Sequence, residues 1–172
     1  MKKLLLLLLC VPLIGFGQKK NKFAKDIEVS IDKFDGSTTW RSPMVSKTYG
    51  QPMLERVYFT KFKKDGEVRL YLSLTTNGST LNVGEKGVVI LFTDGDRLDY
   101  PNEKIDVRAG EGSFMYSAFI RLGEEEMDKF INKDIDVFQL YIYEGSVTPY
   151  PEFVKKKRKK IKGWALAIKE CN

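Results

Sequence analysis

The side chains that most often carry out chemistry in proteins are thinly represented in this chain. Histidine is absent from all 172 residues. That excludes Ser-His-Asp and Cys-His nucleophilic triads, histidine-containing zinc sites and haem held through an imidazole. The two cysteines, Cys10 and Cys171, are too few for a thiolate zinc or iron–sulfur site. No metal or cofactor is implied.

Carboxylates and amines remain. Asp94, Asp96 and Asp99 cluster at a turn, but a calcium loop of the EF-hand type needs an oxygen ligand at its fifth position and glycine at its sixth. Leu98 and Asp99 occupy those positions, so the pattern fails and a solvated hairpin turn is expected. A carboxylate-dependent hydrolase of an envelope polymer needs two carboxyls facing across a cleft. Nothing in the sequence pairs them, and no Ser-x-x-Lys motif opens an apolar helix, so no catalytic residue is named. Asn77-Gly78-Ser79 matches a glycosylation sequon, but the tripeptide often arises by chance and a glycine-rich loop explains it without sugar.

Two segments have the composition of binding surfaces. Trp40 and Arg41, with Tyr49 and Tyr58, would suit stacking on a sugar ring or a partner protein if exposed. The competing expectation is that Trp40 plugs the end of the core. The run Lys155, Lys156, Lys157, Arg158, Lys159, Lys160 and Lys162 could lie against anionic lipid or polysaccharide, or could be the solvated face of a helix.

The elements that must carry these residues are mostly strands. Ile27, Val29 and Ile31 alternate with polar residues, the pattern of a half-buried strand. Val57–Lys63 and Glu67–Thr75 flank Lys64-Asp65-Gly66, a hairpin signal, and Val68, Leu70, Leu72 and Leu74 share one face. Thr76–Lys86 reads as a polar loop. The apolar run Val88–Phe92 predicts a central strand covered on both faces. Arg97–Tyr100 and Lys104–Arg108 read as a return strand broken at Pro101, and Phe114–Arg121 alternates again.

Gly123–Asn132 is predicted to be a short helix, with Glu124, Glu125 and Glu126 at its positive end. Ile135–Tyr143 returns to strand. From Glu152 onward, Val154, Ile161, Trp164, Ala165 and Ile168 fall on one face of an amphipathic helix despite Gly163. Successive strands with turn signals imply a mainly β fold, an antiparallel β-sandwich or flattened barrel with one or two accessory helices.

The N-terminus reads as an export signal. Lys2 and Lys3 precede an apolar stretch from Leu4 to Ile14, and Gly15 and Gly17 supply small residues before an expected cut ahead of Gln18. The stretch is short of the roughly 20 residues that span a bilayer. Residues 1–17 are therefore expected to be a cleaved signal peptide. Residues 18–172 would form a single β-rich domain with no transmembrane segment, its first residues, Gln18–Lys25, a loose lead-in.

The formal charge of +6 comes from 29 Lys and Arg against 23 Asp and Glu. Outside the leader and the run at 155–162 acidic residues slightly outnumber basic ones, so the basic character is local and does not point to nucleic acid. Cys171 is left without a disulfide partner in the mature chain, either a quiet thiol or a link between two chains.

IDKFDGSTTWRSP from Ile31, LYLSLTTNGSTLNVGEKGVVILFTDG from Leu70 and FIRLGEEEMDKFINKDIDVFQLYIYEG from Phe119 resemble segments of small exported proteins of Gram-negative bacteria that have no assigned function. The resemblance spans most of the mature chain but not the basic C-terminal segment. It implies a bacterial, periplasmic or extracellular β-domain and transfers no catalytic residue. The expected function is non-catalytic, structural or binding, with protein or carbohydrate as the partner.

Overall fold

The computed structural model describes residues 21–48, 54–78, 83–110, 113–142 and 153–172. The leader, Gln18, Tyr49 and Ser79 lie outside them.

The Asp65-Gly66 signal sets the register of the longest hairpin. Asp65 (φ 50°) and Gly66 (φ 83°) both take the left-handed conformation of a two-residue type I′ turn, and Lys64 pairs with Glu67. From that turn β4 (Leu54–Lys64) and β5 (Glu67–Gly78) run antiparallel. β5 continues to Gly78 and β6 begins at Val83, so the polar loop expected over Thr76–Lys86 is largely strand.

Around this hairpin a seven-stranded antiparallel sheet takes the order β1 (Glu28–Ile31), β2 (Thr38–Arg41), β4, β5, β9 (Ser113–Leu122), β8 (Asp106–Gly110). β3 (Val45–Thr48) pairs with the start of β4. A smaller sheet has the order β10 (Ile135–Ile142), β6 (Val83–Phe92), β7 (Arg97–Lys104). The fold is mainly β and sandwich-like, and it is not a closed barrel.

The inner face of the large sheet follows the strict alternation of its strands. Phe59, Leu72 and Ile120 stand side by side, as do Val57, Leu74 and Ala118, and all six are buried. Val88, Ile90 and Phe92 of β6 answer from the small sheet. β6 is central to its sheet but covered on one face only, because Leu91 is exposed and Val89 half-buried. The chain passes Pro101 without breaking β7, as an edge strand allows. It changes sheets instead at buried Ile105.

α1 (Glu124–Asn132) and α2 (Lys155–Glu170) fill the open side. α1 starts where the Gly123 amide donates to Glu126 Oε2 at 2.6 Å. Its Phe130 sits edge-on to Phe59 (5.5 Å between ring centroids) and tilted against Phe92 (5.4 Å). One side chain thus joins both sheets. α2 docks through Ile161, Trp164, Ala165, Ala167 and Ile168, all buried.

Gly163 is placed by packing. A Cβ there would stand 2.1 Å from the Phe23 ring, which packs edge-on to Trp164 at 4.8 Å. The lead-in expected to be loose is therefore docked from Asn21 onward, with a 3₁₀ turn at Ala24–Asp26. At the far edge the expected half-burial of β1 fails. Val29 and Ile31 are 54% and 67% exposed, because β1 lies beyond the reach of the small sheet and the helices.

Replacing Phe130, which is 1% exposed, by alanine should destabilise the protein by about 3–5 kcal/mol. Urea unfolding should show the loss as a lower midpoint with an unchanged slope.

Candidate binding surface

Register rather than sequence proximity assembles the outer face of the large sheet. Because alternate residues face alternate sides, one row across the strands reads Glu28, Arg41, Thr60, Tyr71, Arg121. The next reads Tyr58, Ser73, Phe119, and a third Arg56, Thr75, Ser117, Asp106. Arg69 lies beside Phe62 towards the hairpin, and Arg108 lies opposite Met115 at the other end. Five of the seven arginines in the chain stand on this one face among aromatic rings.

Tyr71 and Phe119 stack with centroids 4.6 Å apart and planes 15° off parallel, and Phe119 is 51% exposed. The Arg41 guanidinium lies 5.9 Å from the Tyr58 ring centre, within cation–π range. Arg69 forms a two-point pair with Glu67, and Arg121 reaches the same carboxylate at 3.5 Å. Arg41, Arg56 and Arg108 have no carboxylate partner among the described residues.

Between the rings the sheet carries hydroxyls. Thr60 and Ser73 are buried, at 6% and 4% exposure, and neither Thr60 Oγ1 nor Ser73 Oγ has a hydrogen-bond partner.

The face ends at the hairpin in a hollow of about 560 Å³ lined by Asp35, Phe62, Lys64, Asp65, Glu67 and Arg69. Two of its three carboxyls are engaged. The Lys64 side chain and the Ser37 amide hold Asp35 well below the usual carboxylate range, and Arg69 holds Glu67 down. A general acid needs a raised pKa, so neither group is suited to protonate a leaving group.

The sequence's own candidates separate. Trp40 points inward and is 6% exposed, so Trp40 and Arg41 cannot form one stacking platform: as neighbours on a strand they face opposite sides. Trp40 lies beneath Lys61, whose Nζ is 5.7 Å from its ring centre. That ammonium donates to the carbonyls of Lys169 (3.3 Å) and Cys171 at the end of α2, and burial pushes its pKa down. Cys171 is a free, partly buried thiol whose pKa burial pushes up.

The basic run forms the first half of α2. Arg158 pairs with Asp136, and Lys162 pairs with Asp134 at 3.3 Å. Lys155, Lys156, Lys159 and Lys160 are exposed and unpaired among the described residues.

Asp94 and Asp96 are ion-paired to Lys133, and Asp96 also to Lys129. These pairs tie the β6–β7 turn to α1 and hold both carboxyls down. Asp99 pairs with Arg97. Among the described residues no group of three or more His, Cys, Asp or Glu could hold a metal ion, and no helix is long and apolar enough to cross a membrane. No protein-family model, curated protein or solved structure matches the chain.

The arginine–aromatic face escaped the sequence reading because it takes residues from five strands. The available signal was the odd-numbered series Tyr71, Ser73, Thr75 opposite the apolar series on β5, once the hairpin register was fixed. Trp40→Ala should cost about 3–5 kcal/mol, as core aromatics do, whereas Phe119→Ala should stay within roughly 1 kcal/mol. Thermal or urea unfolding of the two variants distinguishes the core ring from the surface ring.

Proposed function

We propose that this chain is an exported, non-catalytic binding module of the Gram-negative cell envelope that presents the outer face of its large sheet to a protein or carbohydrate. The observation that carries the reading is the collection of five arginines and four aromatic rings, Tyr58, Phe62, Tyr71 and Phe119, on a face that neither helix covers. Arginine and aromatic residues dominate binding hot spots, whereas lysine is depleted in interfaces. Lys64 at the hairpin end is already paired with Asp35. Export rests on the leader and on the resemblance to small exported bacterial proteins.

In a Gram-negative host the full chain should be recovered outside the cytoplasm with Gln18 as its first residue by intact mass. The secreted protein should co-sediment with purified envelope material. Arg41→Ala with Phe119→Ala should abolish that without lowering the melting temperature. Retention in the cytoplasm, or unchanged co-sedimentation of the double variant, would sink the reading.

A second reading is favoured by the start of α2. Lys155 and Lys156 stand exposed at the positive end of the helix dipole, an unfavourable place for cations, with Lys159 and Lys160 one turn on. An anionic surface would relieve the repulsion, each basic residue adding about 1 kcal/mol near acidic lipid. Vesicles containing phosphatidylglycerol should then bind the protein at low salt. Binding should fall steeply as salt rises and vanish when the four lysines are changed to glutamine.

A further inference from the structure

We propose that the edge strand β1 pairs antiparallel with β1 of a second copy of this chain, joining two large sheets into one across a two-fold axis at Val29. The inference is independent of the outer-face reading.

It starts from unpaired main chain. β1 ends the large sheet and pairs only with β2 among the described residues. Just past its end the Asp32 amide donates to the Ser37 carbonyl at 2.9 Å. Antiparallel residues turn their N–H and C=O alternately towards a neighbour and away from it, so Ser30 and Glu28 turn theirs to β2. Val29 and Ile31 therefore present both groups outward, where a further strand would meet them. Ile27, also extended, presents its carbonyl the same way, while its amide donates to Ala24 at 3.3 Å.

The side chains along this edge are unguarded. Natural proteins protect edges with proline, with charge or with covering chain. Here β7 holds Pro101, β8 holds Asp106 and Arg108, and the Phe153 amide reaches Asp136 of β10 at 2.7 Å. β1 has neither proline nor lysine. Val29 and Ile31 are more than half exposed, and Phe34 in the following turn is wholly so.

A second copy fits because the strand is complementary to itself. With the axis at Val29, that residue meets the partner's Val29, Ile31 meets the partner's Ile27, and Glu28 meets the partner's Ser30. Apolar faces apolar, and no carboxylate faces another within the strand. Main-chain hydrogen bonds run from Val29 to the partner's Val29 and from Ile31 to the partner's Ile27, each with its symmetry mate. Beyond the ladder, in the 3₁₀ turn of one copy and the β1–β2 turn of the other, exposed Lys25-Asp26 lies across from exposed Asp32-Lys33. Each dipeptide carries both signs, so the charges pair crosswise. The neighbouring registers lose this match: an axis at Ser30 sets Glu28 against the partner's Asp32, and an axis at Glu28 sets it against the partner's Glu28. Such an axis runs normal to the sheet, so both outer faces look the same way and a target with repeated sites would meet the two together.

The test is the solution mass of the chain recovered from a Gram-negative host, with Cys171→Ser throughout to exclude a disulfide link. Sedimentation should show monomer at about 1 μM and dimer at about 100 μM, as for a small reversible interface. Val29→Lys and Ile31→Lys should each raise the dissociation constant at least about tenfold at unchanged melting temperature, and Phe119→Ala should leave it alone. Exchange of the Val29 and Ile31 amides should slow as the dimer forms, whereas that of Ser30, already bonded to β2, should not change. Val29→Cys places two Cα atoms about 5.5 Å apart at the axis, within disulfide range, so it should cross-link on oxidation faster than Ser30→Cys.

A chain monomeric over that whole range would overturn the proposal, as would a dimer that survives both lysine substitutions. Amides of Val29 and Ile31 that exchange equally fast in monomer and dimer would overturn strand pairing. Faster cross-linking through Ser30→Cys would overturn the axis at Val29.

Discussion

The two sheets come closest along β9, beside β7 and β10. Between β4 and β6, Phe130 touches Phe59 from one sheet and Phe92 from the other. Much of the remaining architecture serves to hold that ring in place. Glu126 fixes the start of α1. Lys129 and Lys133 fasten its end to Asp96 and Asp94, and α2 packs along it. Because both helices are drawn to this inner side, neither of them covers the opposite face of the large sheet. The free arginine–aromatic surface is thus a consequence of where the core had to be closed.

Besides its ion pairs, α2 is held by Phe23 and Lys61. Phe23 occupies the space that Gly163 leaves, and Lys61 donates to the carbonyls at the helix end from the inner face of β4. Cations are favourable beside a helix C-terminus, and this gives a buried lysine an acceptable environment above Trp40. The same helix carries lysines at its N-terminus, where the dipole disfavours them. One end is therefore electrostatically matched to the fold and the other is not, and the mismatched end is the one that faces solvent.

Elements governed by local rules were legible in the sequence: the Asp65-Gly66 turn, the alternation of β5 and β9, the acidic start of α1 and the buried stripe of α2. What failed depended on tertiary cover. Ile27, Val29 and Ile31 have the alternation of a half-buried strand, and Ile27 does pack against the core, but Val29 and Ile31 on β1 lie beyond any neighbouring layer. Val88–Phe92 is apolar on both faces, but Leu91 on the outer face of the small sheet is exposed. Trp40 was read with two opposite expectations because strand parity decides between them, and parity is fixed only by the pairing of Trp40 with Lys61. The outer face was the least legible, since Arg41, Arg56, Arg69, Arg108 and Arg121 are far apart in the chain and become neighbours only through register.

The distribution of positive charge reinforces this point. Lysine is concentrated in the 155–162 run, whereas six of the seven arginines lie in strands. A fold needing only solubility could use lysine in both places, as lysine is the more strongly hydrated of the two. It could also place valine at Thr60 or alanine at Ser73, because a buried hydroxyl without a partner lowers stability by about 1–3 kcal/mol. The sheet keeps the fork-shaped cation around its rim and the unpartnered hydroxyl at its centre. Arg69 and Arg121 are compensated within the fold by Glu67, whereas Arg41, Arg56 and Arg108 make no ion pair among the described residues, and departures from local rules without compensation within the fold tend to fall where a protein meets its ligand.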